Sequence, residues 1–256
     1  MSGPDGTRPG TLILLRHGQS EANGAGVFGG WADYPLTPHG EEQAADAGML
    51  IASEGLQPDV VHTSLLRRST HTADIVLDRL DRSWIPVQRT WRLNERQYGA
   101  LTGRSKRQTR RDAGPELYER WRRSLHTCPP PLSDDRLTLL RADARYAALR
   151  GDAIPAVESF AGMIGRVRPY WSDLLAPRLA RGATVLVSAH GNSLRSLVAL
   201  LDHLDEPRIR ALNIPTAEPL LYTVTSALGP APAGGTYLAP ARAHAAAQAV
   251  AAEGHH

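Results

Sequence analysis

LILLRHG, residues 12–18, joins four large aliphatic residues directly to an Arg-His-Gly triplet that contains His17. A short apolar run that ends at a charged or turn-forming residue is typical of a buried strand. TVLVSAHG, residues 184–191, repeats this arrangement and ends in His190 followed by a glycine. The two segments therefore predict two buried strands, each followed at once by a histidine.

Other short extended runs and several segments of helical periodicity fill the rest of the chain. The extended runs lie at residues 59–64, 84–90 and 220–226, and the helical segments at 37–54, 64–80, 157–180 and 193–204. Thr37 and Pro38 form the cap and first turn expected at a helix start. Pro169 and Pro177 are expected to limit the pieces of the third helical segment. Because strands alternate with helices, the pattern predicts an α/β sheet with helices on both faces.

The domain organisation follows from changes in composition along the chain. Residues 1–10 are polar and predict a flexible leader, and residues 11–228 predict a single α/β domain. Basic groups and a proline run mark residues of about 94–155, which predict an inserted lid region over one end of the sheet. A glycine- and proline-rich connector and an alanine-rich stretch predict a flexible C-terminal tail over 229–256, in which a loose helix is conceivable.

Length, charge and cysteine content exclude several classes of protein. The 256 residues suit one large domain, and no stretch reaches the roughly 20 apolar residues of a membrane helix. A net charge of +3 is too small to indicate nucleic acid. Cys128 is the single cysteine, so neither an intrachain disulfide nor a cysteine metal cluster can form. The leader has no apolar core, and we predict a cytoplasmic protein without a nucleic-acid or membrane partner.

The two histidines predict a site at the carboxyl ends of the strands, where α/β sheets bind their ligands. One histidine after a strand is more often a structural hydrogen-bonding group, but two such turns favour a shared site. The segment after His190 opens a helix, whose N-terminus favours an anion. Arg16 adds a fixed charge with a geometry suited to phosphate. These features predict phosphoryl transfer with His17 as the nucleophile, because a neutral imidazole can attack phosphorus.

Phosphoryl transfer also needs donors for the developing negative charge and an acid for the leaving alkoxide. Candidate donors are Arg16, Arg68, Asn23 and a protonated His190. Glu95 is the candidate acid, because it is the best placed carboxylate in a motif that carries other polar groups. On composition alone, Glu95 could equally be a surface glutamate.

Six motifs give the chain a resemblance to a known family. They are LLRHGQSEAN, TSLLRRS, LNERQYGALTGRSK, WRRS, AHGNSLRSLV and LNIPT, and they appear in the order and spacing of the cofactor-dependent phosphoglycerate mutases, a branch of the histidine phosphatase superfamily. The resemblance runs from about residue 11 to residue 226. The Arg-His-Gly triplet alone marks only the superfamily, whereas its combination with the LNER and HGNSLR motifs is typical of the mutases.

The resemblance implies a three-layer α/β sandwich in which helices flank a mostly parallel six-stranded sheet. It also implies a role for each matching residue. The catalytic set would be His17, Glu95, His190, Arg16 and Arg68, with His17 as the phosphorylated residue and Glu95 as the proton donor and acceptor. The substrate-binding set would be Asn23, Gly29, Gly30, Tyr98, Lys106, Arg122, Arg123, Gly191 and Asn192.

The implied reaction interconverts 3-phosphoglycerate and 2-phosphoglycerate. In the family, 2,3-bisphosphoglycerate primes the histidine, no metal takes part, and relatives form homo-dimers or homo-tetramers. The substrate would be a small anionic phosphorylated molecule, held by cations at both ends.

The chain departs from the family pattern around the implied site. Gly29 stands where the family has threonine, Gln97 where it has histidine, and Ala217 where it has glycine. These changes raise the hypothesis of a specialised paralogue that acts on a related phosphate or phosphonate. Two rival functions also stay open: a histidine phosphatase, in which water attacks the same phosphohistidine, and a binding protein that has lost the chemistry.

Overall fold

The central strand of the protein is β1 (Gly10–Arg16), which lies between two other strands of a six-stranded sheet. The computed structural model describes residues 8–224 and 234–252. The remaining strands are β2 (Val60–Thr63), β3 (Val87–Arg89), β4 (Thr184–Ala189), β5 (Leu220–Val224) and β6 (Thr236–Tyr237), and the order across the sheet is β3-β2-β4-β1-β5-β6. Strands β3, β2, β4 and β1 run parallel to one another, whereas β5 is antiparallel to β1 and β6 is antiparallel to β5. The mostly parallel six-stranded sheet is therefore confirmed.

Helices cover both faces of this sheet. They are α1 (Glu21–Gly24), α2 (Pro38–Ser53), α3 (Arg67–Arg79), α4 (Lys106–Ala113), α5 (Pro115–Arg123), α6 (Asp134–Arg141), α7 (Phe160–Tyr170), α8 (Ala176–Ala180), α9 (Gly191–Leu201), α10 (Glu206–Ala211) and α11 (Pro240–Ala252). One face packs Leu12 and Leu14 of β1 against α7, α8 and α9, and the other packs Ile13 and Leu15 against α2 and α3. This alternation along one strand is the side-chain period of β-structure, and it produces the three layers.

The register of β1 and β4 decides where the two histidines lie. Leu12 is opposite Val185, and the last residue of β1 is opposite the last residue of β4. The backbone N–H of His17 donates to the carbonyl of Ala189 at 3.0 Å, so the ladder extends to the histidine itself. The two parallel strands therefore end at the same edge of the sheet and place His17 and His190 side by side.

The four helical segments predicted from the sequence agree with α2, α3, α7 with α8, and α9 to within a few residues. The Thr37 side chain accepts from the backbone N–H of Gly40 at 3.1 Å, which confirms the predicted cap of α2. The prediction for the two prolines is confirmed, because Pro169 is the second-last residue of α7 and Pro177 lies in the first turn of α8. A π-helical stretch, Trp171–Leu175, follows directly and joins α7 to α8.

The insertion of residues 94–155 folds as short helices α4 to α6 and 3₁₀ turns. Its proline run is not helical, as expected. Among the described residues no helix has the length and apolar character needed to cross a membrane.

The predicted flexible ends need correction where the structure describes them. Gly10, assigned to the leader, begins β1, and a Cβ at this position would lie 2.1 Å from the Leu179 carbonyl oxygen. The prediction of a flexible tail is wrong for residues 234–252, because β6 extends the sheet and α11 packs Ala243 into the protein. An ion pair of 2.6 Å between Arg242 and the buried Glu218 anchors α11. The rest of both predicted ends, residues 1–7, 229–233 and 253–256, lies outside the described residues.

Candidate active site

Two imidazole rings form the centre of the site. The ring centroids of His17 and His190 are 5.0 Å apart, with an angle of 62° between the ring planes. His17 is 3% exposed and His190 is fully buried. The sequence-based expectation that these histidines share one site is consistent with this geometry, since the two rings are in edge-to-face contact.

The hydrogen bonding of His17 defines its reactive nitrogen. Nδ1 lies 2.7 Å from the carbonyl oxygen of Gly18. A carbonyl can only accept, so Nδ1 carries the hydrogen and Nε2 keeps its lone pair. Burial lowers the pKa of His17 well below the usual 6.5, and the charges of Arg68 and Arg16 lower it further. His17 is therefore a neutral imidazole at neutral pH, with its lone pair on Nε2.

The same physical causes act on His190. Burial lowers its pKa well below 6.5, followed by the charge of Arg68 and the proximity of His17. The protonated His190 expected from the sequence is therefore wrong for the protein without a bound anion. Its Nε2 lies 2.8 Å from the Ser64 hydroxyl, and its Nδ1 is buried with no partner in the described part of the chain. If Ser64 donates to Nε2, Nδ1–H is a donor without an acceptor, ready for an anion.

The two arginines beside these rings are held by backbone carbonyls. Arg16 donates through Nη1 to Ile214 at 2.9 Å, and Arg68 donates at 2.9 Å to the carbonyls of both Ala32 and Gly30. Because carbonyls carry no net charge, both guanidiniums keep their positive charge for an anion. Burial lowers the pKa of Arg68 to about 10, which leaves it protonated at neutral pH.

Gly30 is the one glycine of the predicted set that sterics require. Its φ is +51°, and a Cβ would lie 2.8 Å from Oγ1 of Thr102. Gly29 differs, because a Cβ there would meet Ala22 at 3.5 Å and Arg68 at 3.8 Å, which are ordinary contacts. A side chain could therefore be added at position 29 without displacing its neighbours.

Glu95 faces the histidines from the insertion. Its Oε1 accepts from Nδ2 of Asn192 at 2.8 Å and from the backbone N–H of Arg96 at 2.6 Å. Its own carbonyl accepts from Trp31 Nε1 at 2.6 Å and from the Arg166 guanidinium at 3.0 Å. Both the carboxylate and the backbone of this residue are therefore fixed, which suits a proton donor of defined geometry.

Four further predicted residues lie on the insertion and line the same pocket. Tyr98 accepts from Nδ2 of Asn192 at 2.9 Å, and Arg123 donates through Nη2 to Asn213 Oδ1 at 2.8 Å. Lys106 begins α4, and Arg122 lies in the last turn of α5. We call these four residues the insertion end, and we call His17, His190, Arg16 and Arg68 the phosphoryl end.

One pocket collects the predicted residues. Its lining includes Arg16, His17, Asn23, Gly29, Gly30, Arg68, Glu95, Tyr98, Lys106, Arg122, Arg123, Gly191 and Asn192. His190 alone among the predicted set does not line the pocket, because it is buried beneath His17. Gly191 opens α9 at the pocket wall, so the helix N-terminus points its free N–H groups at the cavity.

The pocket also contains residues that the sequence reasoning did not select. They include Ser20, Phe28, Arg195, Asn213, Ile214 and Val250. Arg195 lies within the HGNSLR motif, one helical turn after Asn192, so helical spacing could have identified it. No sequence pattern indicated Val250 as a pocket residue, because it lies in the alanine-rich segment that composition marked as a tail.

The residues that depart from the family pattern differ in whether they line the pocket. Gly29 lines the pocket directly. Gln97 is buried and accepts from the backbone N–H of Gly99 at 3.1 Å and the Thr102 hydroxyl at 3.2 Å, so it supports the loop without facing the cavity. Ala217 adopts a φ of +54°, a conformation that favours glycine.

Metal ligands are not grouped in the part of the chain that the structure describes. In residues 8–224 and 234–252 no cluster of three or more His, Cys, Asp or Glu side chains could hold a metal ion. The charges that converge on the pocket are instead guanidinium and ammonium groups, which suit an anionic molecule.

Comparison with known proteins agrees with this geometry. The sequence profile of the histidine phosphatase superfamily (branch 1) matches residues 12–150. The chain is 50% identical to the 2,3-bisphosphoglycerate-dependent phosphoglycerate mutase of Thermobifida fusca, over 95% of this chain and 99% of the relative. It is 51% identical to the protein of the same name from Clavibacter sepedonicus, over 96% and 98% of the two chains.

Solved structures show the same fold. The phosphoglycerate mutase of Bacillus anthracis superposes with a TM-score of 0.67 at 20% identity, over 92% of this chain and 98% of that one. A mycobacterial glucosyl-3-phosphoglycerate phosphatase superposes with a TM-score of 0.64 at 25% identity, over 84% and 91%. The chain thus belongs to the histidine phosphatase superfamily and, within it, to the family of 2,3-bisphosphoglycerate-dependent phosphoglycerate mutases.

Proposed function

We propose that this chain interconverts 3-phosphoglycerate and 2-phosphoglycerate through a phosphohistidine at His17. The observation that carries the proposal is His17, which contacts the buried His190 ring and lines a pocket that also contains Arg16, Arg68, Lys106, Arg122 and Arg123. Identity of about 50% with mutases over nearly the whole chain supports the choice of substrate.

The phosphoryl end performs the transfer. Nε2 of His17 attacks phosphorus, the N–P bond forms, and the P–O bond to the substrate breaks. The charge on the three equatorial oxygens is met by Arg16, Arg68 and the N-terminus of α9. When Ser64 donates to Nε2 of His190, Nδ1 of this histidine carries the hydrogen and donates to one of these oxygens.

Glu95 transfers the proton that accompanies each phosphoryl transfer. It gives a proton to the alkoxide that leaves when His17 is phosphorylated. It takes a proton from the attacking hydroxyl when the phosphoryl group returns to substrate. Because Asn192 and the Arg96 backbone both hold Oε1, the other oxygen, Oε2, is the atom available for proton transfer.

The insertion end binds the part of the substrate that does not react. Lys106, Arg122 and Arg123 neutralise a carboxylate or a second phosphate, and the Tyr98 hydroxyl offers a hydrogen bond. A bisphosphate needs cations at both ends of the pocket, because either phosphate must be able to face His17. The arrangement of charges therefore fits a mutase, in which the intermediate turns over before it leaves.

The proposed primer, 2,3-bisphosphoglycerate, fits the same residues. Arg16 Nε and His190 Nδ1 are buried polar atoms without a partner in the described part of the chain. Arg16 Nε is always a donor, and His190 Nδ1 is one when Ser64 donates to Nε2, so a phosphoryl group would satisfy them. When bound, the primer supplies the phosphoryl group that converts His17 to its active form.

A product assay tests this function. The purified chain is incubated with 3-phosphoglycerate with and without 2,3-bisphosphoglycerate, and isomer and free phosphate are both measured by ³¹P NMR. We expect primer-dependent 2-phosphoglycerate in large excess over free phosphate. Phosphate release that matches substrate loss would instead identify a phosphatase, and turnover of only other phosphates or phosphonates would identify a specialised paralogue.

The partners and location are proposals as well. We propose a homo-dimer or homo-tetramer that works in the cytoplasm on a small phosphorylated substrate, with no nucleic-acid or membrane partner. Sedimentation of the full chain at micromolar concentration tests the assembly, and a monomer there would contradict it.

A further inference from the structure

Arg195 lies in the pocket wall on α9, outside both the phosphoryl end and the insertion end. It is 4% exposed, and its guanidinium stacks on the Phe160 ring, with Cζ 4.6 Å from the ring centroid. Nη2 donates to the carbonyl of Ile209 at 2.6 Å, and Nη1 donates to Oδ1 of Asn192 at 2.8 Å. Burial lowers its pKa to about 9, so Arg195 remains charged at neutral pH.

The contact with Arg195 determines the orientation of the Asn192 amide. A guanidinium has donors only, so it selects the oxygen of the amide as its partner. The NH₂ group of Asn192 must then point the other way, where it donates to Glu95 Oε1 at 2.8 Å and to the Tyr98 hydroxyl at 2.9 Å. If the amide were turned over, its oxygen would face the Glu95 carboxylate and its NH₂ group would face the Arg195 guanidinium, so the bonds to both charged groups would be lost.

We propose that Arg195 is a positioning residue for proton transfer, which acts through Asn192 on Glu95. It holds the amide in the one orientation that fixes Oε1 of Glu95, and that leaves Oε2 free for the substrate. The same amide joins Glu95 to Tyr98, so Arg195 aligns the acid–base group with the insertion end. This inference rests on the proposed function, since it needs Glu95 as the proton donor.

Three different roles for Arg195 would produce different kinetics. A direct contact with substrate would raise KM when the side chain is removed. A purely structural role would lower the thermal unfolding temperature and the fraction of active protein, but would leave kcat per active site intact. Positioning through Asn192 predicts a fall in kcat with little change in KM, because the lost contact matters most during proton transfer.

The first test compares variants on α9. Arg195→Met should lower kcat by about 10- to 100-fold, the equivalent of one hydrogen bond to a charged group. Arg195→Lys should recover part of this loss, because an ammonium group can still donate to Oδ1. Ser196→Ala is the matched control, since Ser196 bonds at 2.9 Å to the backbone carbonyl of Asn192 and not to its amide. We expect the control to keep the kcat of the unmodified chain.

A double-mutant cycle with Asn192→Ala decides the question. If Arg195 acts through the amide, then Arg195→Met adds no further loss of kcat in the Asn192→Ala background. Losses that multiply, or an Arg195→Met variant with undiminished kcat, would overturn the proposal. If circular dichroism shows that the Arg195→Met variant does not fold, the same cycle is measured with Arg195→Lys.

The cycle also separates this inference from the proposed function. An unmodified chain that makes no 2-phosphoglycerate contradicts the proposed function, and the cycle is then read on phosphate release from 2,3-bisphosphoglycerate. An unmodified chain with isomerase activity and an unaffected Arg195→Met variant contradicts only the role of Arg195.

Discussion

The phosphoryl end and the insertion end of the pocket are built in different ways. At the phosphoryl end, the histidines follow the buried strands β1 and β4, and backbone carbonyls hold both arginines. At the insertion end, the cations stand on the short helices α4 and α5, and side chains such as Asn213 and Glu119 provide their partners. The sheet thus fixes the two histidines, whereas the four side chains of the insertion end can change without disturbing the strands that carry the histidines. This difference predicts that chemistry depends on the first region and substrate choice on the second.

The largest expected effect is at the phosphoryl end. His17→Ala should lower kcat by at least about 10⁴-fold, because it removes the nucleophile while leaving the substrate contacts in place. Transfer of label from ³²P-labelled 2,3-bisphosphoglycerate to the protein should disappear as well. His71→Ala, which changes an exposed histidine of α3, is the control. Label retained on the His17→Ala variant would show that another residue is phosphorylated.

Removal of a cation at the insertion end should affect binding more than chemistry. Arg123→Met should raise KM for 3-phosphoglycerate by about 10- to 100-fold, with a smaller change in kcat, because a charged hydrogen bond to the distal anion is lost. Arg107→Met is the control, since Arg107 is exposed on α4 and does not line the pocket. A fall in kcat as large as that of His17→Ala would remove the distinction between the two ends.

A fall in pH should lower the free energy of unfolding through the buried His190 of the phosphoryl end. Burial lowers the pKa of His190 in the folded chain. Below pH 6.5 this histidine therefore binds a proton in the unfolded chain but not in the folded chain. Stability therefore falls as pH falls, by at most about 1.4 kcal/mol per pH unit for this group. Urea unfolding at pH 7 and pH 5 should show a smaller pH effect for His190→Gln than for the unmodified chain. His71→Gln should retain the full effect, and equal pH dependence in all three proteins would contradict the burial argument.

The smallest expected effect concerns Gly29, beside the phosphoryl end. Gly29→Thr has room for its side chain and adds a hydroxyl near Arg68, so KM for 3-phosphoglycerate should fall a few-fold, by about 1 kcal/mol. Gly29→Val, which has the same shape without the hydroxyl, should not lower KM. If both variants leave turnover of 3-phosphoglycerate unchanged, the missing threonine gives no reason to suspect another substrate.

Local patterns were sufficient for the parts of the site that follow strands. The positions of His17 and His190 are predictable because an apolar run defines a strand, and parallel strands end at the same edge. The cap at Thr37 is predictable for a similar reason, since it needs only contacts within four residues. The prediction failed for α11, where alanine is compatible with helix or tail, and where pairing with β5 and the Arg242–Glu218 ion pair decide the outcome.

The sequence alone determined the α/β class, the two His-Gly turns and the set of cationic residues, because each depends on periodicity or on motifs of a few residues. The tertiary structure decided the protonation of His190, the docking of α11 and the contact of Arg195 with Asn192. The physical reason is that burial, charge proximity and amide orientation depend on residues far apart in the chain. Only folding brings these residues within a few ångströms of one another.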